Sequence, residues 1–325
     1  MSSFRTEIKL KKSPLIIEHS KSILTLGSCF AENIANYFNH YKFEINVNPF
    51  GILYNPTSIH YAINMLMGDY TFTENSLIFY NQQWHSFYHH SNFSSDNKDQ
   101  SLEKINNSLK ISREFLREAD FLTITFGSAY VYMYKKTRSI VSNCHKIPEK
   151  EFIQYMLKID DIIYYWKEII KQLKKLNPKL TIILTVSPIR YMKFGAEQNQ
   201  LSKATLIMLS QLLKQEFDFV EYFPAYEIMM DDLRDYRFYG KDMIHPNDTA
   251  IEYIWDKFSE TYMNENTLKM LNKIDKIIQA RNHRPKNPDS EAHKNFTQTQ
   301  LKLIKELKSE YPLLNFQEEI DYFSQ

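Results

Sequence analysis

Three short runs in this chain are built of apolar residues and threonine from end to end, and each stops on a glycine or a serine. They are Ile23 to Leu26 (ILTL), Phe121 to Phe126 (FLTITF) and Leu180 to Val186 (LTIILTV), closed by Gly27-Ser28, Gly127-Ser128 and Ser187-Pro188. A run this short, with no polar face, reads as a strand covered on both sides rather than as a helix. Segments of helical spacing lie between the runs. After Ser28, for example, Phe30, Ile34, Tyr37 and Phe38 fall on one face of a helix from Cys29 to Phe38. Strand and helix alternate over most of residues 20 to 262. This pattern predicts an α/β fold with a doubly wound, mainly parallel sheet and helices on both of its faces.

The remaining segments fit that frame. A strand is expected over Phe43 to Val47, then a helix from Pro56 to Leu66. Residues 72 to 93 are aromatic with period-two stretches and read as a hairpin excursion. A helix is expected over 99 to 117. A hairpin of YVYMY and SIVSN around KKTR follows the second strand. Glu149 to Leu176 reads as one long helical stretch, and 198 to 215 as another helix. Phe219 to Phe223 is the last expected strand. The segment DMIHP then feeds a helix from Asn247 to Tyr262, with Pro246 suited to its start. Residues 263 to 325 are polar, carry no strand signal, and are broken by HRPKNPDS. They read as two helices and a loop packed on the core. The expected division is therefore residues 1–262 as the α/β domain and 263–325 as a helical extension.

Charge and cysteine usage exclude several classes of function. Forty basic residues against 39 acidic ones give a net charge of +1. That balance offers no global attraction for nucleic acid or an anionic membrane, and neither is expected as a partner. Two cysteines, Cys29 and Cys144, do not make a disulfide framework. The first residues, MSSFRTEIKLKKSPLII, are charged throughout, so no signal peptide is read. There is no run of about 18 apolar residues, and a cytoplasmic protein is expected. No cofactor motif is present. His85, His89 and His90 lack a carboxylate or cysteine cluster beside them, so no metal site is assigned.

Sites in doubly wound sheets form at the carboxyl ends of strands. Ser28 sits where the first strand turns into a helix. Its hydroxyl would project from the sheet edge beside helix N-terminal amides able to stabilise an oxyanion. A serine needs a base to be nucleophilic. In DMIHP, Asp242 precedes His245 by three residues. On a tight turn this spacing brings the carboxylate to one imidazole nitrogen and leaves the other for Ser28, the logic of a serine triad. The plainer alternatives are a helix-capping serine, a surface loop histidine and a loop acid. Cys144-His145 offers a second nucleophile–base pair. Adjacent residues on a strand point to opposite faces, which speaks against it. Arg234, Arg237 and Tyr239 read as structural pairs, with anion or sugar binding as the alternative.

GSCFA, Gly27 to Ala31, is the name-giving motif of the GSCFA family, which is grouped with the SGNH or GDSL-like hydrolases. NPFGILYNP, HHSNF, SNCHKIP, TVSPIR, YFPAYEI, LRDYRFYG, DMIHP and HRPKNP resemble segments of that family in the same order. The resemblance implies an SGNH-type three-layer sandwich with Ser28 as nucleophile, His245 as base and Asp242 as its orienter. It also implies ester chemistry on a small-molecule or carbohydrate ester. An acyltransferase with the same acyl-enzyme, or a binding protein with a decayed site, are the alternatives. SGNH enzymes add a glycine in a second block and an asparagine in a third to the oxyanion hole. Gly51 in NPFG matches the glycine. The third-block position holds Gly127-Ser128-Ala129, with no asparagine, and Asn143 in SNCHK is the nearest replacement.

Overall fold

The computed structural model describes residues 5–283, 285 and 287–324. Met1 to Phe4, at the head of the charged N-terminal segment, lie outside the described residues, as do Arg284 and Lys286 of HRPKNP. Elements follow in the order β1 (Ile23–Gly27), α1 (Cys29–His40), β2 (Ile45–Val47), α2 (Pro56–Met67), β3 (Ile78–Tyr80), β4 (Gln83–His85), α3 (Lys98–Glu118), β5 (Phe121–Phe126), β6 (Tyr130–Tyr134), β7 (Ser139–Val141), β8 (Phe152–Met156), α4 (Ile159–Leu176), β9 (Thr181–Val186), α5 (Gly195–Glu216), β10 (Val220–Phe223), a one-turn α6 (Ala225–Glu227), α7 (Asp248–Tyr262), α8 (Glu265–Asn282), α9 (Glu291–Glu310) and α10 (Gln317–Phe323). No helix among the described residues is long and apolar enough to cross a membrane.

The chain forms two compact units. One comprises the segment up to Lys9, Ser22–Asn36 and Ile45–Asp256, and the other Leu10–Lys21, Tyr37–Glu44 and the residues from Lys257 onward. In the first unit, five strands among the described residues make a parallel sheet in the order β10-β9-β5-β1-β2. Every residue of β1, β5 and β9 is buried, so both faces of the sheet are covered, as the continuous apolar runs require. Helices supply that cover. In α4, for instance, Ile162, Trp166, Ile169, Ile170 and Leu173 make a buried stripe at helical spacing.

Two stretches depart from the sequence reading. Glu149 to Leu176 is not one helix, because β8 occupies Phe152–Met156 and pairs antiparallel with β6. Its five residues alternate between buried and more exposed positions, a period-two signal too short to stand out beside the eighteen helical residues that follow. The polar C-terminal stretch holds three helices, α8 to α10, rather than two.

The second unit has its own core. Phe38 packs edge-on against Phe43 and Phe258, with ring centroids 5.2 and 5.8 Å apart. Lys42, held 3.0 Å from the buried Glu319 carboxylate, lies over the Phe316 ring.

Candidate active site

From β1 the chain moves outward to β2 on one side, and from β5 to β9 and β10 on the other. The carboxyl ends of β1 and β5 are thus the switch point of the sheet, where such folds open a crevice. Ser28 follows β1 there and Gly127 follows β5. The two are so close that a Cβ on Gly127 would lie 3.3 Å from that of Ser28.

A network of backbone bonds fixes Ser28. Its amide donates to Thr125 O at 3.2 Å, and the Gly27 amide donates to Asn48 Oδ1 at 2.9 Å. Asn48 sits at φ 44°, a left-handed conformation that asparagine tolerates. Its own carbonyl accepts the Gly51 amide at 2.6 Å, so one residue ties the NPFG turn to the end of β1. Gly51 has φ 72°, and a Cβ there would fall 2.3 Å from His90 Cβ. The Ser28 side chain is different. It is 1% exposed, and its hydroxyl has no hydrogen-bond partner among the described residues.

The DMIHP turn is built as its spacing suggested. His245 Nδ1 and Asp242 Oδ2 are 2.6 Å apart, and Asp242 Oδ1 accepts the amides of Ile244 and His245 at 3.0 Å each. The His245 and Ile244 amides, and then the imidazole, hold the Asp242 carboxyl down at about 2. Both side chains are about half exposed. With Nδ1 engaged by the carboxylate, Nε2 is the nitrogen left for chemistry. It makes no hydrogen bond to Ser28 Oγ in this structure.

The candidate oxyanion groups are placed less simply. The amides of Ser28 and Gly51 are occupied by Thr125 O and Asn48 O, and the Gly127 amide by Tyr54 O at 2.7 Å. Cys29 and Phe30 open α1, so their amides have no intrahelical acceptor; among the described residues no loop carbonyl takes them, and both favour the thiolate of Cys29. Asn143 behaves as a turn residue, its Oδ1 accepting the His145 amide at 2.8 Å.

Cys144 and His145 are not on a strand, as β7 ends at Val141; His145 has φ 48°. The opposite-face argument therefore fails, but the pair is still not assembled as nucleophile and base. His145 Nε2 lies 2.8 Å from Ser86 O and Nδ1 lies 3.3 Å from Ser91 Oγ, while burial pushes the Cys144 thiol up to about 11.

The aromatic excursion encloses a group of histidines. His85 stacks on His145 at 4.4 Å, and His89 stacks on Phe50 at 4.8 Å. The Ser94 hydroxyl and the Tyr80 carbonyl engage the two ring nitrogens of His85. Burial, then the neighbouring imidazoles, push His145 down to about 4; burial and then His145 push His89 down to about 3. An unfolded histidine titrates near 6.5, so between there and the lowered values the unfolded chain binds more protons. Stability then falls as pH falls. The expected loss between pH 7.5 and 5, above the carboxylate range, is about 2 kcal/mol for each of the two. Urea midpoints across that interval measure it, and His89→Gln should roughly halve the slope. A flat midpoint would show that these rings stay solvated.

Two residues near the carboxyl ends of the strands carried no obvious signal in the sequence. Lys203, wholly buried on α5, donates to Gly127 O and Ser187 O at 2.7 Å each and so joins the ends of β5 and β9. Arg190, three residues beyond Ser187, is half-buried. The arginines singled out from sequence are otherwise engaged. Arg234 pairs with Asp231 at 2.9 Å, and Arg237 lies over the Phe238 ring.

Comparison with known proteins places this site in a family. No curated protein matches the chain. Solved structures similar to it include a mutant of Axe2, an acetyl-xylooligosaccharide esterase from Geobacillus stearothermophilus, at 11% identity over 76% of this chain and 96% of that one, with a TM-score of 0.39. Another is a carbohydrate esterase family 3 protein from Talaromyces cellulolyticus, at 9% identity over 79% and 99%, with a TM-score of 0.37. Likenesses this distant carry no weight for the chemistry of this chain. The family comparison is of another order. The model of the GSCFA family matches residues 22–258, and that of the GSCFA domain protein C-terminal domain matches residues 274–325. With nearly three quarters of its length matched by the first of these, the chain belongs to the GSCFA family.

Proposed function

We propose that this protein hydrolyses esters through an acyl-enzyme on Ser28, releasing a small acyl group from a carbohydrate or other polar alcohol. The observation that carries the reading is the Asp242–His245 pair. A 2.6 Å contact fixes the Nδ1–H tautomer, and two amides hold the carboxylate ionised. That is the preparation a general base needs.

In the proposed reaction Ser28 Oγ attacks the ester carbonyl carbon and its proton passes to His245 Nε2. The tetrahedral intermediate collapses, the C–O bond to the alcohol breaks, and His245 returns the proton to the leaving oxygen. Water, deprotonated by the same nitrogen, then cleaves the acyl-enzyme. The amides of Cys29 and Phe30 are the proposed backbone donors to the oxyanion. Substrate binding must bring His245 Nε2 and Ser28 Oγ together. The DMIHP turn suits such a motion, since both its functional side chains are half exposed, and catalytic hydrogen bonds commonly tighten only when substrate is bound.

Labelling with a fluorophosphonate tests the nucleophile. Mass spectrometry should find the adduct on Ser28, and Ser28→Ala should abolish it. Equal labelling of the Ser28→Ala protein removes Ser28 from the mechanism. A correctly folded protein that no fluorophosphonate labels favours a binding role for the same fold.

A further inference from the structure

The carboxyl edge of the sheet holds Lys203 and Arg190, and among the described residues neither is paired with a carboxylate. Lys203 is completely buried. Its ammonium lies between two strand-end carbonyls and 5.6 Å from the centre of the Tyr226 ring. Arg190 Nε donates to Asn199 Oδ1 at 3.2 Å, and Nη1 lies 3.9 Å from Met230 Sδ. Among the described residues Arg190 makes no ion pair. Asn199 stands one helical turn before Lys203 on the buried face of α5, so its bond holds Arg190 at the same end of the sheet as the lysine. Burial, with Arg190 adding to it, brings the Lys203 ammonium down to about 7.

The carboxylates of the neighbourhood are committed elsewhere. Glu227 accepts the Tyr222 hydroxyl at 2.8 and 2.9 Å, Asp231 pairs with Arg234, and Glu32 accepts Asn48 Nδ2 at 3.3 Å. An arginine kept only for structure would be expected to spend its charge on a carboxylate, as Arg281 does on Glu318. Arg190 is half-buried with one neutral side-chain oxygen as acceptor and no carboxylate, which leaves most of its donors for a ligand. Its fork of donors is matched to planar or tetrahedral anions.

The position also points to the chemistry. Tyr239 bridges to Pro246, and the Gly240 amide donates to His245 O at 2.7 Å. Arg190 itself leaves the carboxyl end of β9 and reaches Met230 just beyond β10, the end of the sheet from which the chain runs on to the Asp242–His245 turn.

We propose that Arg190 anchors an anionic group on the substrate, a carboxylate, sulfate or phosphate, so that the preferred ester is one of an acidic sugar or other acidic alcohol. The inference rests on the hydrolase reading. A small acyl group such as acetyl has no charge, and the anion therefore belongs to the alcohol portion. Lys203 holds the strand ends beneath it. Arg190 makes the contact.

Matched probes test this with and without turnover. Wild-type protein should cleave 4-acetoxybenzoate with kcat/KM about 10- to 100-fold above 4-acetoxybenzamide, the difference lying mainly in KM. Arg190→Met should erase the preference, so that the charged and neutral probes differ by less than about twofold. Arg190→Lys, which keeps the charge and loses the fork, should restore part of it. Calorimetry with the non-ester probes 4-hydroxybenzoate and 4-hydroxybenzamide should show the same preference and the same loss. A charge preference in binding without turnover of either ester keeps the anion site and removes the hydrolase reading. Equal treatment of the charged and neutral probes, or a preference that survives Arg190→Met, overturns the anion site whatever the turnover.

Discussion

Ser28→Ala and His245→Ala are each expected to lower turnover of an acetyl ester by about 10³-fold or more, and the double variant is expected to fall no further. In the proposed mechanism the histidine acts only by moving the serine's proton, so once one is gone the other has nothing left to do. Steady-state kcat/KM for the four proteins measures this, and multiplication of the two effects would show that the residues do not share a step. Stability should move the other way for one of them. The Ser28 hydroxyl is buried and unpartnered, so its removal leaves no orphaned group behind. Ser28→Ala is therefore expected to be as stable as wild type or slightly more so. A serine kept only to cap α1 would instead cost about 1 kcal/mol when replaced.

The largest effect on folding is expected at Gly27. Its φ of 143° and its closeness to β5 leave no room for a side chain. A Cβ would stand 2.3 Å from Thr125 O and 2.9 Å from Thr125 C and N. These are backbone atoms of a central strand, with no flexible end that can swing away. Gly27→Ala should cost about 4 kcal/mol and lower Tm by about 6 °C. Gly68→Ala is the control, because a Cβ there meets only Asn64 O at 3.5 Å, and it should change stability by less than about 1 kcal/mol. Equal effects at the two positions would mean that β1 and β5 can part without penalty.

What could be read from the sequence follows from how far each signal reaches along the chain. β1, β5 and β9 were legible because burial on both faces writes a continuous apolar run. The Asp242–His245 contact was legible because it spans three residues on one turn. Lys203 was not, because its partners are carbonyls 76 and 16 residues away. A faint trace exists in α5, where Asn199, Ser202, Lys203, Leu206, Leu209, Ser210 and Leu213 form the buried face while Leu201 and Met208 are exposed. Polar residues there share a stripe at helical spacing, and the usual assumption that lysine faces water hides it. Arg190 gave no sign for the opposite reason. What distinguishes it is a carboxylate it does not meet, and only the three-dimensional surroundings show that. The hydroxyl of Ser28 was expected to project from the sheet edge, yet it is buried, because the turns around Asn48 and Tyr54 close over the end of β1 in a way no local pattern specifies.

The strand order has a consequence for how the chain is made. β2 reaches β1 within a short stretch of synthesis, but the other edge of β1 waits for β5, and about 75 residues separate Val47 from Phe121. At translation rates of about 5–20 residues per second, that edge of ILTL stands open on the ribosome for roughly 4–15 s. An open apolar edge is a template for pairing with other chains. When β5 docks, the open edge passes to β5 itself, which waits about 55 residues for β9; β10 then adds to β9, and the sheet grows outward with its newest strand always at the rim.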